Sequence, residues 1–103
     1  MAIRVTVQYF TLLKRAIGKG EEFYEFQGGA RVEDIWVKTL EKYGTEMDKA
    51  GYVDAVTEEP KSIIIAMNRI GVVGLRHVGW YDGLKTELKD GDLIVMYPPI
   101  IGG

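Results

Sequence analysis

Leu93-Ile94-Val95-Met96-Tyr97 is an unbroken apolar run, fenced by Lys89-Asp90-Gly91-Asp92 on one side and Pro98-Pro99 on the other. The run is too short for a core helix, and it has no polar alternate to turn toward water. It therefore fits a strand covered on both faces, in the middle of a sheet. The two prolines cannot donate to a ladder and favour an extended polyproline conformation, so the strand must stop at Tyr97. Whatever else the chain builds has to be arranged around this strand and around the short segment that leaves it.

The rest of the chain supplies the partners. Residues 3–10 alternate, with Ile3, Val5, Val7 and Tyr9 on one face and Arg4, Thr6, Gln8 and Phe10 on the other, which predicts a half-buried strand. Leu12, Leu13 and Ala16 lead into the turn cluster Gly18-Lys19-Gly20, and Glu22, Tyr24 and Phe26 then share a face, so the two strands are expected to form a hairpin. After Gly28-Gly29 the period changes. Val32, Ile35, Trp36, Thr39, Leu40 and Tyr43 fall on one helical stripe, with Glu33 and Asp34 at its positive end and Gly44 placed to close it. Ile63-Ile64-Ile65 predicts a further buried strand, Asn68-Arg69-Ile70-Gly71 a turn, residues 72–75 a returning strand, and residues 76–87 a loop with one helical turn.

Residues 45–61 have no sustained period and are expected to be a surface insertion with a short turn of helix. The whole predicts an α+β chain of the β-grasp (ubiquitin-like) kind. It has a mixed sheet, one principal helix, a single domain over residues 1–97 and a flexible Gly-Gly tail over 98–103.

Composition excludes several kinds of function. A chain of 103 residues with 47% hydrophobic content supports one modest core. Its 13 basic and 15 acidic residues leave a net charge of -2, which argues against nucleic acid or an anionic membrane as partner. With no cysteine there is no thiolate nucleophile or thiolate ligand, so any sulfur chemistry must use sulfur brought from elsewhere. No apolar run approaches the ~18 residues of a membrane helix, and a strand pattern begins at once, so a cytoplasmic chain without a signal peptide is expected.

His77 is the only histidine, and it has neither a metal-ligand nor a catalytic companion nearby in sequence. Asp90 and Asp92 flank a glycine and read as turn residues, Trp36 as core, and Glu58-Glu59 and Lys14-Arg15 as solvated charges. No metal site is expected.

The chemistry-bearing feature is the end of the chain. A strand runs into Pro98-Pro99 and then Ile100-Ile101-Gly102-Gly103; six residues reach about 20 Å when extended, enough to enter another protein's active site. Glycine lacks Cβ, passes narrow channels and leaves the terminal carboxylate unhindered. A carboxylate is a poor electrophile and must be activated, yet no GxxxxGK[ST] phosphate cradle is present. Activation with ATP therefore falls to a partner, and this chain is a substrate or carrier rather than an autonomous enzyme.

Four segments resemble a known family: Val7-Gln8-Tyr9-Phe10-Thr11-Leu12-Leu13-Lys14, Val32-Glu33-Asp34-Ile35, Leu88-Lys89-Asp90-Gly91-Asp92 and Tyr97-Pro98-Pro99-Ile100-Ile101-Gly102-Gly103. They look like the small, sulfur-carrying subunit of molybdopterin synthase, to which thiamine-pathway sulfur carriers and archaeal ubiquitin-like modifiers are related. The resemblance covers the first 44 residues and about the last 20; residues 45–61 and 69–81 look longer than in the usual small subunit.

It implies that an E1-like adenylating enzyme using ATP and magnesium activates Gly103, and that a persulfide donor converts it to a thiocarboxylate. The tail then inserts into the larger molybdopterin synthase subunit to supply sulfur for the molybdenum or tungsten cofactor. Carried over residue by residue, Gly103 is the reactive terminus and Gly102 its thin neighbour. Phe10, Lys14, Tyr97, Pro98, Pro99, Ile100 and Ile101 are partner contacts, Lys14 standing where the family often has arginine. This chain itself is expected to bind no cofactor.

The same carboxylate activation would equally serve a ubiquitin-like modifier joined through Gly103 to lysines, or a sulfur carrier for thiamine or tRNA thiolation. A β-grasp binding module with an incidental tail is the remaining alternative.

Overall fold

A computed structural model describes residues 1–99. In chain order the elements are β1 (Ala2–Tyr9), α1 (Thr11–Ile17), β2 (Glu21–Gln27), α2 (Val32–Lys49), β3 (Ile64–Asn68), β4 (Arg76–His77) and β5 (Leu93–Tyr97). Two single 3-10 turns, Val78–Trp80 and Gly83–Lys85, lie between β4 and β5. The sheet order is β2-β1-β5-β3-β4, so the uninterrupted apolar strand is the central one. β5 runs parallel to β1 and antiparallel to β3, and β1 pairs antiparallel with β2. A strand pair, a helix across one face and a mixed sheet with the last strand central make this a β-grasp fold. No helix of the described residues is long and apolar enough to cross a membrane.

The alternation in β1 decides its faces as expected. Ile3, Val5, Val7 and Tyr9 are buried, and they join Ile65, Met67, Ile94 and Met96 against Val32, Ile35, Trp36 and Met47 of α2 in one core. Each large apolar side chain buried this way contributes about 1.5–3 kcal/mol.

The connection between β1 and β2 differs from a plain hairpin link, because it contains α1. Leu13, Ala16 and Ile17 form a short helical stripe, with Leu13 fully buried. Gly18, at φ 81, closes the helix by donating its N–H to the Lys14 carbonyl at 2.8 Å. Among the described residues, two α-helices thus lie beside the sheet.

α2 also runs further than its periodicity up to Tyr43 suggests, passing through Gly44 to Lys49. Met47 extends the buried stripe by one more turn and is wholly buried, which outweighs the weak helix propensity of a single glycine. The glycine that follows the helix is Gly51, at φ 83. At the other end, the Arg31 N–H donates to Asp34 Oδ2 at 2.7 Å, satisfying a first-turn donor.

The strand that returns beside β3 is Arg76–His77, not residues 72–75. Gly71 and Gly74 both take positive φ, and the chain swings outward between them and beyond, leaving Val73 87% exposed. Asp92, placed in a turn as expected, is also a buried anion. Arg69 donates to both of its oxygens, Nε at 3.0 Å and Nη2 at 2.9 Å, and the Lys89 N–H adds a third bond at 2.8 Å. The guanidinium also donates to the Glu87 carbonyl, so one ion pair clamps the loop before β5 to the end of β3.

Candidate functional site

Of the residues expected to act, Phe10, Tyr97, Pro98 and Pro99 sit where β5 leaves the sheet. Tyr97 pairs with Ile64 in the β3–β5 ladder and is half-buried, so β5 is held on both sides to its last residue or nearly so. On the β1 side the last link is made by Phe10, whose N–H donates to the Met96 carbonyl at 3.1 Å. Pro98 and Pro99 follow, half-buried and outside the ladder. Ile100, Ile101, Gly102 and Gly103, the expected contact residues and reactive terminus, lie outside the described residues.

A corner in the chain shapes the apolar surface beside this exit. Phe10 is extended, and Thr11 then takes φ 56, a conformation a β-branched residue rarely adopts. The corner starts α1 and leaves both Phe10 and Leu12 at the surface, 44% and 58% exposed, while Leu13 turns into the core. Strain of this sort costs on the order of 1–3 kcal/mol and persists only where the surroundings hold it.

Leu12, Tyr52, Ser62, Pro98 and Pro99 line a cavity of about 300 Å³. Leu12, Tyr52 and Ser62 were not among the residues singled out from sequence. Leu12 had a signal, since of two adjacent leucines on a short helix only one can face the core. Tyr52 and Ser62 had none, because their placement depends on how residues 51–63 return from α2 to β3.

Lys14 lies on the exposed side of α1, and its side chain passes over Gly20, where an added Cβ would stand 3.0 Å from Lys14 Cε. Among the described residues its ammonium makes no hydrogen bond or ion pair, so its charge is available to an incoming anion. The structure thus brings Phe10, Leu12, Pro98 and Pro99 to one end of the molecule, with Lys14 on the following helix. A mixed apolar and basic rim around a departing strand can bind a protein surface.

Several charged groups elsewhere are used internally. Asp90 accepts the Arg4 N–H at 2.8 Å, and exposed His77 accepts the Gly79 N–H at 2.8 Å. Glu22, on the inward face of β2, accepts from Tyr9 (2.8 Å), Tyr43 (2.7 Å), Lys42 (2.8 Å) and more weakly Tyr24 (3.2 Å). Burial alone would raise its pKa. The Lys42 ammonium and the Tyr43 and Tyr9 hydroxyls outweigh that and lower it to about 2. Burial, together with the facing carboxylate, raises Tyr43 to about 12 and pushes Tyr9 up as well. No group of three or more His, Asp or Glu side chains suited to a metal ion occurs among the described residues.

No family model matches the chain. It is similar to the molybdopterin synthase sulfur carrier subunit of Chlamydomonas reinhardtii, 26% identical over 101 residues that span 98% of this chain and 100% of that one. The small archaeal modifier protein 1 of Methanosarcina acetivorans superposes with a TM-score of 0.72 at 27% identity, covering 100% of this chain and 99% of that one. A chain of the complex of subunits 1 and 2 of the molybdopterin-converting factor from Helicobacter pylori aligns with a TM-score of 0.55 at 25% identity, over 98% of this chain and 100% of that one.

Proposed function

We propose, from the premise that this chain is a member of the small β-grasp sulfur-carrier and ubiquitin-like family, that it acts through the carboxylate of Gly103. In that family such a chain is a carrier or substrate rather than an autonomous enzyme. An E1-like enzyme holding ATP and magnesium would activate the carboxylate. A Gly103 carboxylate oxygen attacks the α-phosphorus, pyrophosphate leaves, and the resulting acyl adenylate is open to a nucleophile that displaces AMP. The observation that carries this reading is the exit of β5: the central strand ends at Pro98-Pro99 beside exposed Phe10 and Leu12, so a partner can grip the globular part while it works on residues further along.

Two nucleophiles fit, and each has support. A lysine amine of another protein, giving an isopeptide bond, is favoured by the end-to-end likeness to a small archaeal modifier. This is the reading we place first. A persulfide, whose attack gives an acyl disulfide that a second thiol of the donor cleaves to a thiocarboxylate, leaving a disulfide on the donor, is supported by the sulfur carrier subunit and the two-subunit complex; the thiocarboxylate would then donate sulfur to a pterin precursor within a larger synthase subunit. Phe10, Lys14, Tyr97, Pro98 and Pro99 are the proposed contacts, and Gly102 keeps the approach to the reactive atom thin.

The test has a shared and a separating part. With an E1-like enzyme and ATP, pyrophosphate release should occur with the natural terminus and stop when one residue is added after Gly103. Release that continues with the longer chain would end the proposal. Branched lysine peptides carrying the Gly102-Gly103 remnant then mark the modifier route. Exchange of one terminal oxygen for sulfur, seen by intact mass with a persulfide donor, marks the sulfur route.

A further inference from the structure

A groove follows α2 on the side lined by residues 53–59, and nothing in the carboxylate chemistry uses it. Two adjoining cavities of about 510 and 470 Å³ share Leu40 and Glu58. Their α2 residues, from Glu33 through Trp36, Val37, Leu40, Glu41, Gly44, Thr45 and Asp48 to Lys49, recur at helical spacing. The groove therefore spans about 24 Å at 1.5 Å per residue, the length of a short helix.

The far wall is built, not loose. Asp54 Oδ1 accepts the Val56 and Thr57 N–H groups at 2.9 Å each, Val53 bridges Pro60, and the Trp36 indole donates to the Glu58 carbonyl at 2.8 Å.

Three properties specify an occupant. The floor is apolar along Trp36, Val37 and Leu40, with Val37 49% exposed. The rim is acidic. Six carboxylates and one cation, Lys49, line the two cavities; Glu33 and Glu41 are paired with Lys85 and Lys38, whereas Asp48, Glu58 and Glu59 have no ion-pair partner among the described residues.

The middle is open. Gly44 interrupts a long helix at a cost in helix stability, and a Cβ placed there would meet nothing within 4 Å, so no internal packing calls for a glycine. A glycine on the floor of a groove allows close approach by another backbone. The groove also ends near the site already described, because Val53 lines it and the neighbouring Tyr52 lines the cavity at Pro98 and Pro99.

We propose that this groove is a docking surface for a partner protein that presents a cationic amphipathic helix, its apolar stripe on Val37 and Leu40, its backbone passing close over Gly44 and its lysines or arginines facing Asp48, Glu58 and Glu59. Apolar contact supplies affinity and the charged rim supplies direction and rate.

The probe is a fluorescein-labelled peptide of about 18 residues, leucine and lysine at helical spacing, read by anisotropy against the full chain near physiological salt. A peptide of the same composition in permuted order is the comparison. The ordered peptide should bind at least about tenfold tighter than the permuted one. Gly44→Leu, which blocks the floor, and the pair Asp48→Lys with Glu58→Lys, which inverts the rim, should each weaken it by roughly tenfold while thermal unfolding shows the variants folded.

Adding a residue after Gly103 should leave this binding unchanged, so loss of the carboxylate reading would not touch it. Equal binding of ordered and permuted peptides would reduce the effect to general charge attraction. Indifference to Gly44→Leu, or amide shift changes gathered on the sheet rather than on α2, would place the peptide elsewhere. Any of these outcomes overturns the proposal.

Discussion

Glu22 shows how much of the fold can rest on one side chain. It is 5% exposed, yet the hydroxyl and ammonium donors around it hold it ionised and tie β2 to α2. Because its folded pKa lies near 2 and its ordinary value is 4.5, the stability it contributes is fully present above pH 4.5 and lost as pH falls from there through about 2. The size of that loss is on the order of 3 kcal/mol. Urea unfolding of Glu22→Gln should show about 2–4 kcal/mol less stability at neutral pH and a flatter profile between pH 4.5 and 2, since the amide cannot satisfy Lys42 as an anion does. A profile as steep as the wild type's would assign the acid sensitivity to other carboxylates. Phe10 is the opposite kind of residue. At 44% exposure its loss removes little internal packing, so Phe10→Ala should change unfolding free energy by less than about 1 kcal/mol. Affinity for an activating partner should fall at least about fivefold by titration, as expected for an aromatic anchor.

Among the elements, α2 invites the most direct intervention. Gly44 sits in its interior without a contact that a methyl group would disturb, so Gly44→Ala should stabilise the protein by about 0.5–1 kcal/mol and raise the unfolding midpoint by several degrees in a calorimetric scan. The clamp before β5 should respond in the other direction. Asp92→Asn leaves Arg69 partly buried without its counter-ion and should cost about 3–5 kcal/mol by denaturant titration.

These elements also show what a sequence can and cannot disclose. The β1 faces and the bounds of β5 were legible because periodicity and prolines report directly on burial and ladder bonds. α1 was hidden because its stripe is only Leu13, Ala16 and Ile17, and its start depends on a strained Thr11 that no composition rule anticipates. The end of α2 was misplaced because Gly44 reads as a stop unless Met47 is known to have a core to enter. β4 was displaced because glycines at 71 and 74 set a wide turn whose length only the β3 register reveals. At the candidate site, Phe10, Tyr97 and the prolines were expected as contacts through the family resemblance, whereas Tyr52 and Ser62 line the cavity beside Pro98 and Pro99 only through tertiary return of the chain.

For the whole molecule, the proposed chemistry at Gly103 predicts separable damage. One residue added after Gly103 should leave the unfolding midpoint within about 1 °C of the wild type while abolishing the proposed activation, because the described core is built from residues Ile3 to Met96. A fall of several degrees would mean that the terminus belongs to the folded body. The position of β5 has a mechanical meaning as well. Any protein that draws on the chain beyond Pro99 pulls along the axis of a strand bonded on one side to β1 and on the other to β3. That load falls on two ladders in shear, so their bonds must yield together and not one after another as they would if an edge strand were peeled. A pull along β5 can therefore be borne without the body unravelling bond by bond.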